Sequence, residues 1–306
     1  MKIFSCTFFL LCAAFVPAHA LAAEPPARGN GSAAFSAGAI PLLGETLLLV
    51  ETTVDGVPAK LLLDTGASHT SLDAAWAKAT FPAMKTRVVP LKSDDVYTFA
   101  SPEIALARIG EFRLGGRRFT DVEMPLADLS GLRRALPELN DVVGILGMNA
   151  TTLAPCRISF GGRRMEWVEP GSAAFAGKEK FPVRRTAGTD CVQVTLPPQK
   201  PGGSAVSALI DSGAVGSSVP ADFWIGAAEE KRTALVTTAT GTRKVAVEFG
   251  VPAPLKFSET LAVPDVSPRL IRPGEAMKIL LGLDVLNRLE IIFDLRNGVV
   301  WIGRDE

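Results

Sequence analysis

Histidine, tyrosine, cysteine and net charge are all scarce in this chain. Its 306 residues include one Tyr, two His and four Cys, and 32 Lys and Arg balance 32 Asp and Glu, so the formal net charge is zero. With no long run of like charge there is no basic footprint for nucleic acid, and no nucleic-acid partner is expected. The sequence holds no H-E-x-x-H pattern and no cysteine cluster of the kind zinc needs, so neither a metal nor another cofactor is expected. No glycine-rich phosphate loop leads from a strand into a helix, which disfavours nucleotide enzymes. The apolar stretch at the N-terminus falls short of the roughly 20 residues a spanning helix needs, so no membrane span is expected.

What is present is apolar: 47% of residues are hydrophobic, enough for a sizeable core in two modest domains or one large one. The first residues read as a secretory signal, with Lys2 as the charged region, Ile3 to Val16 as the apolar region ended by Pro17, and Ala18-His19-Ala20 as a small-x-small cleavage site. Residues 1–22 are therefore set apart as a signal peptide, and the mature protein is expected in the periplasm or secreted. Residues 23–38, rich in Ala, Gly, Ser and Pro, read as a flexible arm. Loss of the signal removes Cys6, Cys12 and His19, leaving Cys156, Cys191 and His69. An oxidising compartment permits a bond between the two cysteines, and two free buried thiols are the alternative.

The most informative feature is a pair of tetrapeptides. Asp64-Thr65-Gly66-Ala67 closes the apolar run Leu61-Leu62-Leu63, and Asp211-Ser212-Gly213-Ala214 closes Ala208-Leu209-Ile210, 147 residues further on (64 to 211). Either motif alone is an ordinary turn composition. Both, however, sit in a longer internal repeat. Ser71 and Leu72 answer Ser218 and Val219, and Trp76 answers Trp224. Alternating stretches that read as strands precede each motif, Thr46 to Thr52 and Cys191 to Leu196. The first turns at Asp55-Gly56, a strong hairpin signal, and the second crosses a Pro/Gly-rich connection from Pro197 to Gly203. Downstream, Val143-Gly144-Ile145-Leu146-Gly147 answers Lys278-Ile279-Leu280-Leu281-Gly282. Each is followed by a hairpin: Arg157 to Phe160 with Met165 to Val168 around Gly161-Gly162, and Glu290 to Phe293 with Val299 to Ile302 around Asn297-Gly298. The halves fall at 39–169 and 181–306, joined by a small polar linker at 170–180. Helical pattern is confined to Asp73 to Ala79 and Leu126 to Leu136, so the expected class is mostly β with a few short helices.

With both motifs and both apolar-apolar-Gly elements in place, the chain resembles the retropepsin-like aspartic proteases, in a two-lobed single-chain form like the pepsin architecture and in an exported bacterial setting. The resemblance implies two pseudo-symmetric β-barrel lobes with Asp64 and Asp211 as the catalytic pair. It implies that the Thr65 and Ser212 hydroxyls bond across the lobe interface and that Ile145-Leu146-Gly147 and Leu280-Leu281-Gly282 pack beside the motif loops. Gly66 and Gly213 let the backbone turn tightly and approach a substrate. The implied activity is endopeptidase hydrolysis of peptides or unfolded protein by a monomer with an intramolecular dyad. A cleft that binds peptides or an envelope protein without cutting is the alternative.

The chemistry requires such a pair. Two adjacent carboxyls cannot both ionise readily and so share a proton, the charged member polarising a water while the neutral one donates to the scissile carbonyl. Ala67 and Ala214 stand where pepsin-type enzymes carry a hydroxyl that bonds the carboxylate, and loss of that donor predicts an optimum nearer mildly than strongly acidic pH. Substrate-covering flaps are expected at Leu91 to Ala100, with Tyr97 as the covering residue, and at Val236 to Val245, with Thr240-Gly241 as the tip. His69 would have to work from the same turn as Asp64 to serve a Ser-His-Asp triad, so it is expected to be a strand residue near the site.

Overall fold

The computed structural model describes residues 7–10, 39–90, 103–151, 154–185, 191–226, 228–238, 241–272 and 279–305. The expected flexible arm at 23–38 lies outside these residues. Leu49–Val54 and Val57–Leu63 form a hairpin whose turn residues Asp55 and Gly56 both have positive φ (46° and 80°), the two-residue turn an Asp-Gly pair favours. Val142–Leu146 joins Val57–Leu63 in parallel, and its other edge takes the short strand Ser71–Asp73. Arg117–Ala127 and Glu103–Leu114 continue the sheet, which closes where Thr53 and Val54 pair with Arg113 and Phe112. Six strands thus form a closed barrel, and Thr86–Pro90 lies outside it against Glu103–Leu114.

The second half repeats this order strand for strand. Val192–Leu196, Val206–Ile210, Leu280–Leu281, Ser218–Pro220, Arg269–Ile271, Gly241–Gly250 and Ala228–Thr238 lie side by side, as their counterparts do in the first half. Thr7–Leu10, in the stretch read as a signal peptide, pairs in parallel with the outer edge of Ala228–Thr238. The chain is therefore mostly β, with short helices and two barrel-like lobes. Among the described residues no helix is long and apolar enough to cross a membrane.

A third sheet joins the halves. The downstream hairpins meet edge to edge, Cys156–Ser159 against Leu289–Asp294, with Cys156 opposite Phe293 and Ile158 opposite Ile291. Arg164–Trp167 and Ile40–Pro41 extend it on one side, Val299–Arg304 and Glu179–Pro182 on the other. Cys156, Ile158, Ile291 and Phe293 are fully buried, so this seam is itself core. The stretch 170–180 contains a 3-10 turn at Ala173–Phe175 and enters the sheet through Glu179–Pro182.

One local expectation is corrected. Leu126 to Leu136 is not one helix, because Leu126 and Ala127 pair in parallel with Leu72 and Asp73, and only Ser130–Ala135 is helical. The hairpin expected around Asn297-Gly298 is present, Leu289–Asp294 with Val299–Arg304, closed by a 3-10 turn at Leu295–Asn297 and Gly298 at φ 66°. No disulfide joins Cys156 and Cys191: Cys156 is buried in the joining sheet, whereas Cys191 Sγ donates to Gly66 O. The other short helix, Ala74–Thr80, starts at Asp73, whose carboxylate accepts from Trp76 N at 2.8 Å and so caps the first turn. The same carboxylate accepts from Leu129 N and from the Arg133 guanidinium, each at 3.1 Å, tying both helices to the barrel. The matched tryptophans differ in role: Trp224 is fully buried with its indole N–H on Val251 O at 3.0 Å, whereas the half-buried Trp76 stands edge-on to Phe81.

Candidate active site

Each motif Asp leaves the end of a buried strand and enters a tight turn. Asp64 N donates to Leu146 O at 3.0 Å and Asp211 N to Leu281 O at 2.9 Å, so each apolar-apolar-Gly element anchors the first residue of a motif. The following glycines are sterically required. A Cβ on Gly147 would lie 2.4–2.8 Å from the His69 backbone, and one on Gly282 would lie 2.6–2.8 Å from the backbones of Gly216 and Ala214. The turns close with Ala67 N on Asp64 O and Ala214 N on Asp211 O, while Gly66 N and Gly213 N donate to the Oδ1 atoms of their own aspartates at 2.9 and 3.0 Å.

The two loops grip each other through the hydroxyl residues. Thr65 Oγ1 donates to Ile210 O and accepts from Ser212 N, both at 2.9 Å. Reciprocally, Ser212 Oγ donates to Leu63 O at 2.8 Å and accepts from Thr65 N at 3.0 Å. Each hydroxyl thus uses its donor and an acceptor on the other half, and all these groups are buried, so the loops have little freedom to slide.

That grip places each carboxyl against the other motif's glycine. A Cβ on Gly66 would come within 2.6 Å of the Asp211 carboxyl carbon, and a Cβ on Gly213 within the same distance of the Asp64 carboxyl carbon. Both aspartates are 0% exposed. Burial pushes the Asp64 acid well above the usual carboxylate range, and the charge of Asp211 pushes it further. The Gly66 and Ala67 N–H groups pull the other way without reversing the direction. The pair can therefore hold one proton between two oxygens, the state in which one member accepts and the other donates. Gly213→Ala should drive a methyl into the Asp64 carboxyl and, at about 10²-fold per ångström of misplacement, lower any turnover that uses the pair by on the order of 10²-fold. Steady-state kinetics beside a melting curve checks this, since the loss should exceed anything a small drop in Tm explains.

Other sequence-predicted positions fall as follows. Tyr97 and the candidate flap Leu91 to Ala100 lie outside the described residues, between the paired strands Thr86–Pro90 and Glu103–Leu114. The second candidate, Val236 to Val245, belongs to the hairpin of Ala228–Thr238 with Gly241–Gly250, in which Thr238 pairs with Gly241 and Thr240 lies outside the described residues. His69 is buried, with Nδ1 2.8 Å from Ser68 Oγ. Sequence reasoning passed over two features. Cys191 Sγ donates to Gly66 O at 3.2 Å, across the halves. Asn149 and Asp284, each two residues beyond an apolar-apolar-Gly element, bind Thr70 and Ser217 beside the motif loops. Aligning the repeats two residues further would have found this last pair. Among the described residues no group of three or more His, Cys, Asp and Glu side chains is placed to hold a metal ion.

Residues 50–150 match a family model for aspartyl proteases. The matched segment contains the first motif, the first apolar-apolar-Gly element and Asn149. No curated protein matches the chain in sequence. Among solved structures the chain is similar to the crystal structure of basic 7S globulin from soybean, at 10% identity over 87% of this chain and 94% of that one, with a TM-score of 0.52. That likeness concerns the fold alone.

Proposed function

We propose that the protein is an aspartic endopeptidase that hydrolyses peptide bonds with a water activated between Asp64 and Asp211. The observation that carries this reading is the reciprocal placement of each carboxyl over the other motif's glycine, locked by the Thr65 and Ser212 bonds. In the working state the ionised carboxyl takes a proton from water as the water attacks the scissile carbonyl, and the neutral carboxyl donates to the carbonyl oxygen. The tetrahedral intermediate collapses with proton transfer to the leaving amine, and no covalent adduct forms. Thr65 and Ser212 hold the loops in register, and Gly66 and Gly213 leave the space in which the carboxyls meet.

The substrate is a peptide or unfolded protein, taken by a monomer whose two lobes, 39–169 and 181–306, each supply one carboxyl. The setting is the periplasm or the cell exterior after loss of residues 1–22, and the segments proposed to cover the substrate are Leu91 to Ala100, with Tyr97, and Val236 to Val245. Ala67 and Ala214 bring no hydroxyl to the carboxyls, and burial with mutual repulsion raises the Asp64 acid. The rate is therefore expected to peak in mild acid.

The test offers the purified protein a mixed peptide library from pH 3 to pH 8 and reads cleavage by mass spectrometry. Cleavage with a maximum in mild acid is expected, and a maximum below about pH 3 contradicts the pKa argument. Retention of peptides without cleavage at any pH favours the non-catalytic binding cleft.

A further inference from the structure

The two motif loops are held from behind by matching networks. In the first half Thr70 Oγ1 accepts from Gly147 N at 3.2 Å and donates to Asn149 Oδ1 at 2.9 Å, and Thr70 N donates to the same oxygen at 2.8 Å. Met148 N and Asn149 N donate to Ala67 O and Ser68 O at 2.9 and 3.0 Å. In the second half Ser217 Oγ accepts from Gly282 N at 2.9 Å and donates to Asp284 Oδ1 at 2.6 Å. Leu283 N and Asp284 N donate to Ala214 O and Val215 O at 2.8 and 3.0 Å. The networks differ chemically in one respect that matters here: the group that receives the hydroxyl is an amide, Asn149, in the first and an acid, Asp284, in the second.

An amide oxygen accepts these bonds at every pH, whereas a carboxyl does so without charge only while it holds its proton. We propose that Asp284 is a positioning residue that couples the second motif loop to pH: as a neutral acid it holds Ser217 as Asn149 holds Thr70, and on ionising it sets a buried negative charge behind the loop that carries Asp211. The coupling to catalysis rests on the reading of Asp64 and Asp211 as a working pair.

Asp284 keeps some exposed surface, but its carboxyl lies among protein atoms, and burial pushes the acid up. The bonds from Ser217, the Val285 N–H and the positive charge of Arg288 pull it down without reversing the direction. Arg288 also gives its guanidinium to Pro264 O. The helix Leu283–Leu286 packs on Leu280–Leu281, Ala262–Val266 and Leu289–Asp294. Of the acids on those strands, Glu290 is bound to Arg157 and Lys178, Asp294 accepts from the Asn297 side chain, and Asp265 is exposed. An acid raised on folding lends its full stability below its unfolded pKa and loses it as pH climbs through the folded value. Wild-type protein should therefore lose stability at this site between acid and neutral pH, and an amide in its place should not.

Melting curves of wild type, Asp284→Asn and the mirror variant Asn149→Asp at pH 4 and pH 8 test this without requiring cleavage. Asp284→Asn should match wild type at pH 4 and melt higher at pH 8. Asn149→Asp should melt below wild type at pH 8 and recover toward it at pH 4. A gap between Asp284→Asn and wild type that is the same at both pH values, or negative at pH 8, overturns the proposal. Where peptide cleavage is measurable, Asp284→Asn should move the high-pH limb of kcat upward with KM unchanged, and an unmoved limb overturns the coupling to Asp211. Absence of cleavage in every sample would count against the peptidase reading alone, leaving the melting curves to decide the protonation claim.

Discussion

Asp211→Asn should lower peptide cleavage by about 10²–10⁴-fold, the range for removing a positioned acid or base, while raising Tm at neutral pH. The first effect follows because an amide cannot accept the proton of an attacking water. The second follows from the electrostatics of the pair. Burial and the charge of Asp211 both push the Asp64 acid up, so the folded state favours its proton. That contribution is complete below the unfolded pKa near 3.8 and is lost as pH rises through the folded value, which makes neutral pH the costly condition for wild type. Removing the Asp211 charge removes the repulsion, and an Asn side chain can still accept from Gly213 N and donate to Asp64. The measurement is a rate and a melting curve on the same sample: loss of cleavage with a Tm at or above wild type at pH 7 is expected. Loss of cleavage together with a large fall in Tm would indicate a collapsed site.

Glu290→Ala should destabilise the protein by about 3–5 kcal/mol, the cost of breaking a buried pair by removing one partner. Glu290 is 4% exposed in the seam where the halves meet. Its Oε2 meets Arg157 Nε at 2.7 Å and Nη2 at 2.6 Å, and its Oε1 meets Lys178 Nζ at 2.5 Å. Arg157 keeps Glu166 at 3.0 Å and Lys178 keeps Ala174 O at 2.8 Å, so neither cation would be bare, but both would remain largely buried after losing their shared anion. An exposed pair gives the control: Arg87 binds Glu123 at 2.6 Å on the outer face of the first lobe, and Arg87→Ala should leave the urea midpoint close to that of wild type. Urea unfolding of the two variants checks the contrast. Similar losses for both would mean that the seam is not held through Glu290.

Much of the frame was legible because its signals are local. Asp55-Gly56 needs two positive φ angles and almost nothing else to make its hairpin. The apolar strands before Asp64 and Asp211 and the Gly-ended strands that join them could be matched by repeat alone, and strand order then follows the same path in both halves. The failures are where distant partners decide. Leu126, Leu129, Leu132 and Leu136 have a spacing that suits a helix, yet the parallel ladder to Leu72 and Asp73 claims the first residues of the stretch. Glu290 sits in a strand, Leu289–Asp294, whose remaining middle is Ile291, Ile292 and Phe293, and nothing local says that its counterions come from residue 157 and residue 178. Cys156 and Cys191 could have been bonded on chain chemistry alone, and only their separate surroundings decide otherwise. For the candidate site, the motifs supplied the residues and their types, while the reciprocal crossing of Thr65 and Ser212 and the facing of each carboxyl to the opposite glycine are properties of the assembled pair.

The most direct test of that pair is a double-mutant cycle on peptide cleavage with Asp64→Asn, Asp211→Asn and both together. Two carboxyls that share one proton and act on one water work as a unit, so the double variant should cleave no more slowly than the slower single one. Losses that multiply in the double variant, or a single variant that cleaves at the wild-type rate, would contradict a shared catalytic dyad.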